Sequence, residues 1–420
     1  MNQPNTTKPN YVLPLVVIGI LFATFGFITW TNGTLIPFLK IACELTDQQA
    51  LMVTFAFYIS YTILAIPSSF ILRKIGFKMG MVLGLVIVAL GSLIFLPAAN
   101  SRTYALFLTG LFVQGLGLSL LQTAVNPYVS LLGPIESAAK RISIMGICNK
   151  VAGLAAPIIM GQVILGNASE LQAKLQAATD SDKNIILADA ASSVNTPYIV
   201  LAIVLIIIAL FISRTNLPVV LNEESDEEAK KHAGRTSVFQ YPNLVLGFLA
   251  LFFYVGAEVM AGDTIGLYGQ NQGISLDESK YFTAYTLAVM VVGYIIGIFT
   301  IPKFLSQQKA LAISAIIGVV FSIMVTLTTG YTSVLFIALL GLANALMWPA
   351  IFPLSINGLG KFTEIGSAIL IIAISGGAII PQIYGLIKNS IGDQQAYWFM
   401  VPCYLYILYF AVAGYKKTSW

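Results

Sequence analysis

At 420 residues, with 57% hydrophobic and 10% charged side chains and a mean hydropathy of +0.85, the chain is far more apolar than a soluble domain, where about a quarter of residues are charged. Its net charge of +4 is small and dispersed, and no basic stripe interleaved with aromatics is present, which sets nucleic acid aside as a partner. The three cysteines have neither metal nor redox spacing, and no metal-ligand cluster, nucleophile motif or membrane-embedded histidine marks an enzyme or a bound cofactor.

The polar stretch from Met1 to Asn10 runs directly into an apolar segment without the cleavage pattern of a signal peptide, so the first span is the expected insertion signal. Crossing hydrocarbon takes about 20 mostly apolar residues. Such runs lie near 11–40, 49–72, 79–98, 104–132, 142–166 and 197–213, and then near 242–269, 281–302, 309–330, 332–357, 364–388 and 394–415. These predict an all-α membrane protein of about twelve transmembrane helices in two pseudo-symmetric six-helix bundles, 1–213 and 242–420, joined by a linker over 214–241. The linker carries Glu223, Glu224, Asp226, Glu227 and Glu228 ahead of Lys230, Lys231 and the lone His232, the pattern of a solvated segment. The stretch 166–196 contains Ser169-Glu-Leu-Gln-Ala-Lys-Leu-Gln, read as a short surface helix or cap, after a sequon at Asn167.

Of the 22 Lys and Arg, Lys150 falls within a span, and only Lys40, Arg102, Lys174, Lys183, Lys280 and Lys388 fall in loops of one parity. The rest lie in loops of the other parity, and because basic loops remain cytoplasmic, both termini are expected inside. An internal repeat supports two halves. Gly153-Leu-Ala-Ala-Pro157-Ile-Ile-Met-Gly161 in span five parallels Gly377-Ala-Ile-Ile-Pro381-Gln-Ile-Tyr-Gly385 in span eleven, and Gly26 and Gly33-Thr34 in span one parallel Gly256 and Asp263-Thr264 in span seven. Parallel halves of this kind hold a substrate between them near the midplane.

Polar groups within the spans carry the functional reading, because a charge at the bilayer centre costs roughly 2.5 to 3.5 kcal/mol and needs a partner or a wet cavity. Lys150 in span five and Glu258 and Asp263 in span seven meet that description. If both spans face one cavity, Lys150 neutralises one carboxylate and leaves the other to water, substrate or a cation; the competing account is a purely structural ion pair. Gln122 and Asn126 are four residues apart on one helix face, and Asn32 and Asn149 are expected to project into the same space. Carboxamides both donate and accept, which suits vicinal hydroxyls, although each also suits an interhelical hydrogen bond. Phe25, Trp30, Tyr254 and Trp348 offer aromatic faces for the C–H surface of a sugar, although most membrane aromatics are packing residues or interface anchors, and Trp348 is marked by the helix-disturbing Pro349 after it.

With these residues in place the chain resembles the major facilitator superfamily, and within it the fucose, glucose and galactose symporter branch. The resemblance rests on Gln122-Thr-Ala-Val-Asn-Pro-Tyr-Val-Ser-Leu-Leu-Gly-Pro134, Tyr254-Val-Gly-Ala-Glu258, Pro349-Ala-Ile-Phe-Pro-Leu-Ser-Ile356, Ile374-Ser-Gly-Gly-Ala-Ile-Ile-Pro381 and the degenerate loop motif Arg73-Lys-Ile-Gly-Phe-Lys78. It implies the major facilitator fold, a monosaccharide moved by alternating access, usually with protons, by a monomer in a bacterial inner membrane. It also implies acidic residues in spans one and four, and the matching positions here are Gly33 and Gln122, which cannot titrate. Coupling to H⁺ or Na⁺ is therefore expected to have moved to Glu258 or Asp263, with Lys150 balancing charge. The alternatives are an uncoupled facilitator, a drug exporter of the same superfamily and a sugar sensor that moves nothing.

Overall fold

The computed structural model describes residues 12–132, 138–166, 168–217, 236–301, 303–417 and 420, and every regular element among them is helical. The linker carboxylates, Lys230, Lys231, His232, Asn167 and Pro134 lie outside the described residues. Among those described, 11 helical stretches are long and apolar enough to cross a membrane. One of them, Asp47–Asn100, has 54 residues, and a straight rod of that length would measure about 80 Å against roughly 30 Å of hydrocarbon. Gly76 breaks it with φ 76° and ψ 164°, a backbone shape that a Cβ resists, so 52–75 and 77–100 are separate helices, which makes twelve of membrane-crossing length among the described residues. The six-residue basic connection expected at 73–78 is thus reduced to a turn at one glycine.

Several spans are interrupted, and at the breaks in spans one and seven side chains catch backbone carbonyls, as a dry environment requires. Span one runs Val12–Trp30 and Asn32–Ala42, with the Thr31 hydroxyl donating to the Phe27 carbonyl at 2.8 Å. Span seven runs Pro242–Gly262 and Ile265–Asn271. At its break Thr264 donates to Met260 O at 2.7 Å, Thr286 to Ala261 O at 2.7 Å and Thr283 to Gly262 O at 2.7 Å, the last two from span eight, Phe282–Thr300. Span ten runs Gly330–Asn344 and Met347–Ile356. Pro353 has no N–H for the Pro349 carbonyl one turn earlier, and Gln307 of span nine (Gln307–Leu327) supplies that donor at 2.8 Å.

The breaks in spans one and seven fall within two residues of the positions that the internal repeat aligns. The repeat also marks close helix crossings. A Cβ on Gly26 would lie 2.0 Å from the Asn149 carbonyl oxygen in span five, Ala138–Met160, and one on Gly376 would lie 1.9 Å from the Phe252 carbonyl oxygen in span seven. Spans one and five, and spans seven and eleven (Thr363–Ile372 continuing as Gly376–Ile391), therefore cross with backbones in contact. Between the halves, span five packs on span eight, and span eleven packs on the helix that holds span two. The stretch 166–196 forms two helices rather than one, Ala168–Ala177 and Asp180–Ser192. The second starts at a Thr179 cap that accepts from the Asp182 amide, a signal the hydrophobic pattern does not carry.

Candidate functional site

Between the halves lies a cavity lined by Phe25, Thr29, Trp30, Tyr58, Tyr61, Gln122, Gly146, Asn149, Lys150, Tyr254, Val255, Glu258, Tyr294, Trp348 and Ile374. Both halves contribute to it. Another hollow, along Ile75, Met79, Val82, Leu83 and Val86, opens on the outside of the bundle and carries no polar side chain, which suits a surface facing lipid.

The cavity wall is built around one ion pair that crosses from half to half. Lys150 Nζ lies 2.8 Å from Glu258 Oε1, and the two side chains are 8% and 13% exposed, so neither charge is left alone in a poorly solvated place. The ammonium also sits over the Trp30 ring, 4.4 Å from its centroid. Trp30 is itself wedged against Gly153 of span five and Gly262 of span seven, where a Cβ would come within 2.3 and 2.1 Å of its ring. The cation is thus held from two sides, by a carboxylate of one half and an indole of its own half.

The carboxamides differ in how they are used. Gln122 lines the cavity and donates to the Tyr61 hydroxyl at 2.9 Å, which fixes the orientation of the amide. Asn149 lines it too, while its Nδ2 donates to the Phe22 carbonyl of span one at 3.2 Å, so it also ties two helices together. Asn32 lies off the cavity wall, buried just after the break in span one, and its Nδ2 has no hydrogen-bond partner among the described residues. Asn126 is half-buried one helical turn beyond Gln122 and is likewise outside the lining.

Asp263 does not face the cavity. It is completely buried beside the break in span seven, where the Tyr58 hydroxyl of span two donates to its Oδ2 at 3.0 Å. The span-seven carboxylates are therefore separated by environment: Glu258 has the cation, Asp263 a phenol. Glu258 precedes Asp263 by five residues, and five helical steps of 100° each rotate one side chain well away from the other. Phe25, Trp30, Tyr254 and Trp348 all contribute to the wall, with Tyr254 and Trp348 ring centroids 6.5 Å apart and Trp348 stacked on Phe352 at 5.7 Å.

Sequence reasoning passed over Thr29, Tyr58, Tyr61 and Tyr294, which stand on this wall. Tyr58 and Tyr61 are three apart, hence on one helix face, and that spacing was a readable signal. Tyr294 faces Gly146 across the halves, a contact without any local sequence mark.

Comparison with known proteins bears on this architecture. Residues 18–381 match the family described as Major Facilitator Superfamily. The chain is 35% identical over 420 residues to a glucose/galactose transporter of Brucella abortus (strain 2308), an alignment that covers 99% of this chain and 98% of that one. It is 28% identical to the L-fucose-proton symporter of Escherichia coli (strain K12), over 98% and 94% of the two chains. The crystal structure of a Major Facilitator Superfamily transporter, FucP, in the outward conformation superposes with a TM-score of 0.73 at 26% identity, covering 96% of this chain and 98% of that one.

Proposed function

The chain belongs to the Major Facilitator Superfamily, in the branch of the glucose/galactose transporters and the L-fucose-proton symporter, and from that premise we propose that it carries a monosaccharide, a hexose or a close relative, by alternating access coupled to a cation. The observation that carries this reading is the cavity shared by the two halves, where Gln122 and Asn149 offer carboxamides and Trp30, Phe25, Tyr254 and Trp348 offer ring faces around a neutralised charge pair. Such a wall is neutral overall, hydrogen-bonding and flat-sided, which matches a polyol better than a cationic amphiphile. Asn32 and Asn126 are assigned to hydroxyl binding in the state where the halves have rocked, since both lie on the spans that form the cavity.

Coupling is assigned to span seven. Gly33 and Gln122 offer no titratable group, whereas Glu258 and Asp263 do, and Lys150 keeps the cavity's charge balanced. The coupling ion is H⁺, or Na⁺ held through carboxylate oxygens; no other cofactor is invoked, and the activity is transport rather than catalysis. The chain works as a multi-pass monomer in a bacterial inner membrane with both termini cytoplasmic, in line with the loop distribution of Lys and Arg.

Proteoliposome counterflow tests this directly, with glucose, galactose, fucose, mannose and N-acetylglucosamine as competitors, with and without Na⁺ and at two pH values. At least one hexose is expected to exchange and to be accumulated by an imposed proton or sodium gradient. Gln122→Leu, which strips one hydrogen bond and leaves Tyr61 unpartnered by it, is expected to weaken that sugar's apparent affinity about tenfold. Binding without flux would make the chain a sensor, flux without gradient dependence a facilitator, and preference for cationic amphiphiles an exporter; each would overturn the corresponding part of the proposal.

A further inference from the structure

Among the described residues, polar contacts between the two halves gather toward one end of the molecule. Lys388 and Asn271 of the second half bind Asp47 of the first at 2.5 and 3.0 Å, Gln48 donates to Gln382 at 2.8 Å, and Lys280 donates to the Gly166 carbonyl at 2.6 Å. These residues occupy the connections and helix ends opposite the chain termini, so that end is shut. Just inside it, Tyr58 of span two reaches into the other half. Its ring borders the cavity on one side, and it lies so close over Gly377 of span eleven that a Cβ there would come within 3.0 Å of Tyr58 Cγ. Its hydroxyl meets Asp263, which is 0% exposed and whose Oδ1 has no partner among the described residues.

A carboxylate enclosed in this way is expensive. Removing a charge from water is strongly unfavourable unless a cation and a full set of donors replace the water, whereas a protonated carboxyl is a neutral polar group with a far smaller penalty. The groups around Asp263 do not supply the cation. Lys150 of span five is engaged with Glu258, Tyr61 of span two is engaged with Gln122, and Tyr254 and Glu258 belong to Asp263's own span. Thr283 and Thr286 of span eight hold backbone carbonyls, and Tyr397, ahead of span twelve, bonds the Met260 carbonyl.

We propose that Tyr58 is a lid on Asp263, which couples the proton to the movement of the halves. With the end opposite the termini closed, the phenol seals the carboxyl away from the cavity and tolerates it only with its proton on. When the halves part at that end, Tyr58 withdraws with span two, Asp263 meets water, and its O–H proton passes to a water molecule, leaving the carboxylate hydrated. Closing therefore takes up a proton, so the closed form gains as pH falls and is lost as pH rises. This rests on the coupled-carrier reading above and adds the residue that ties its two conformations to one proton.

The test reads conformation without needing to know the sugar. Leu51, fully buried where span two meets Gly385 of span eleven, is changed to cysteine in the full-length purified chain carrying Cys43→Ser, Cys148→Ala and Cys403→Ala. Labelling by a maleimide is timed at about pH 5.5 and about pH 8.5 and normalised to the denatured chain at each pH, a window in which Asp47, paired with Lys40 and Lys388, stays charged. Labelling is expected to rise at least about tenfold from the lower to the higher pH. Asp263→Asn should be slow and flat with pH. Tyr58→Phe, which keeps the ring, should retain the pH dependence, and Tyr58→Ala, which opens a way for water, should abolish it. A flat parent, or a Tyr58→Ala variant with the parent's response, overturns the lid. Galactose counterflow on the same preparation separates the two ideas: flux with a flat parent leaves the carrier standing without its lid, and a pH-dependent parent without flux of any tested sugar keeps the lid and removes the sugar.

Discussion

Lys150→Met is expected to abolish sugar uptake and to lower the detergent-solubilised protein's thermal midpoint by on the order of 5 °C. The substitution keeps most of the apolar stem beside Trp30 but strips the cation Lys150 from the cavity wall, stranding Glu258 at 13% side-chain exposure. Breaking a buried pair by removing one member typically costs about 3–5 kcal/mol, and the residual exposure of both side chains argues for the lower figure here, still about a hundredfold in an equilibrium. Glu258→Gln should do less harm to stability, because Lys150 keeps the Trp30 face at 4.4 Å and an amide oxygen nearby. The double variant Lys150→Met with Glu258→Gln should regain most of the midpoint without regaining gradient-driven uptake. Thermal unfolding followed by fluorescence, with uptake measured in parallel, decides the matter. A double variant no more stable than Lys150→Met would mean that the site depends on something other than charge pairing.

Gly376→Val should have the other large effect, this time on assembly. Its first added carbon would stand 1.9 Å from the Phe252 carbonyl oxygen, which is backbone and has no rotamer by which to move aside. Spans seven and eleven must then separate, at the upper end of the usual overpacking range or about 3 kcal/mol, and the partly shared contact of Gly256 with Ile380 goes with it. Gly273→Ala is the control. That glycine has φ 82° and nothing within 4 Å of its missing Cβ, so alanine there meets only backbone strain of about 1–2 kcal/mol. Size-exclusion profiles after heating in detergent should show Gly376→Val aggregated at temperatures where Gly273→Ala remains monodisperse. Equal behaviour of the two would remove the close helix crossing from the account of how this half holds together.

Much of the architecture was readable before any coordinates. A membrane span must satisfy its own backbone, so its length and apolarity are local properties, and the runs at 104–132, 142–166 and 242–269 could be placed by inspection. The reading was weakest where local composition says nothing about direction. The loop expected over 73–78 tightens to a turn at Gly76, and the Thr179 cap starts a second helix inside a polar loop. The intramembrane charges also announced themselves, because Lys150, Glu258 and Asp263 are too costly in lipid to stand without a purpose.

Residue order alone establishes that this chain crosses a membrane many times, that its halves echo one another at Gly26 and Gly256 and at Pro157 and Pro381, and that a few polar groups must meet in the middle. Which partners those groups take depends on the packing of the helices in space. Lys150 joins Glu258 across 108 residues of chain and Tyr58 covers Asp263 across 205, separations at which sequence spacing has no bearing on distance. Those distances are set by how closely the two halves approach, with the Trp30 ring against Gly262 and the Tyr58 ring against Gly377, where no side chain intervenes, and the fate of each carboxyl group follows from that packing.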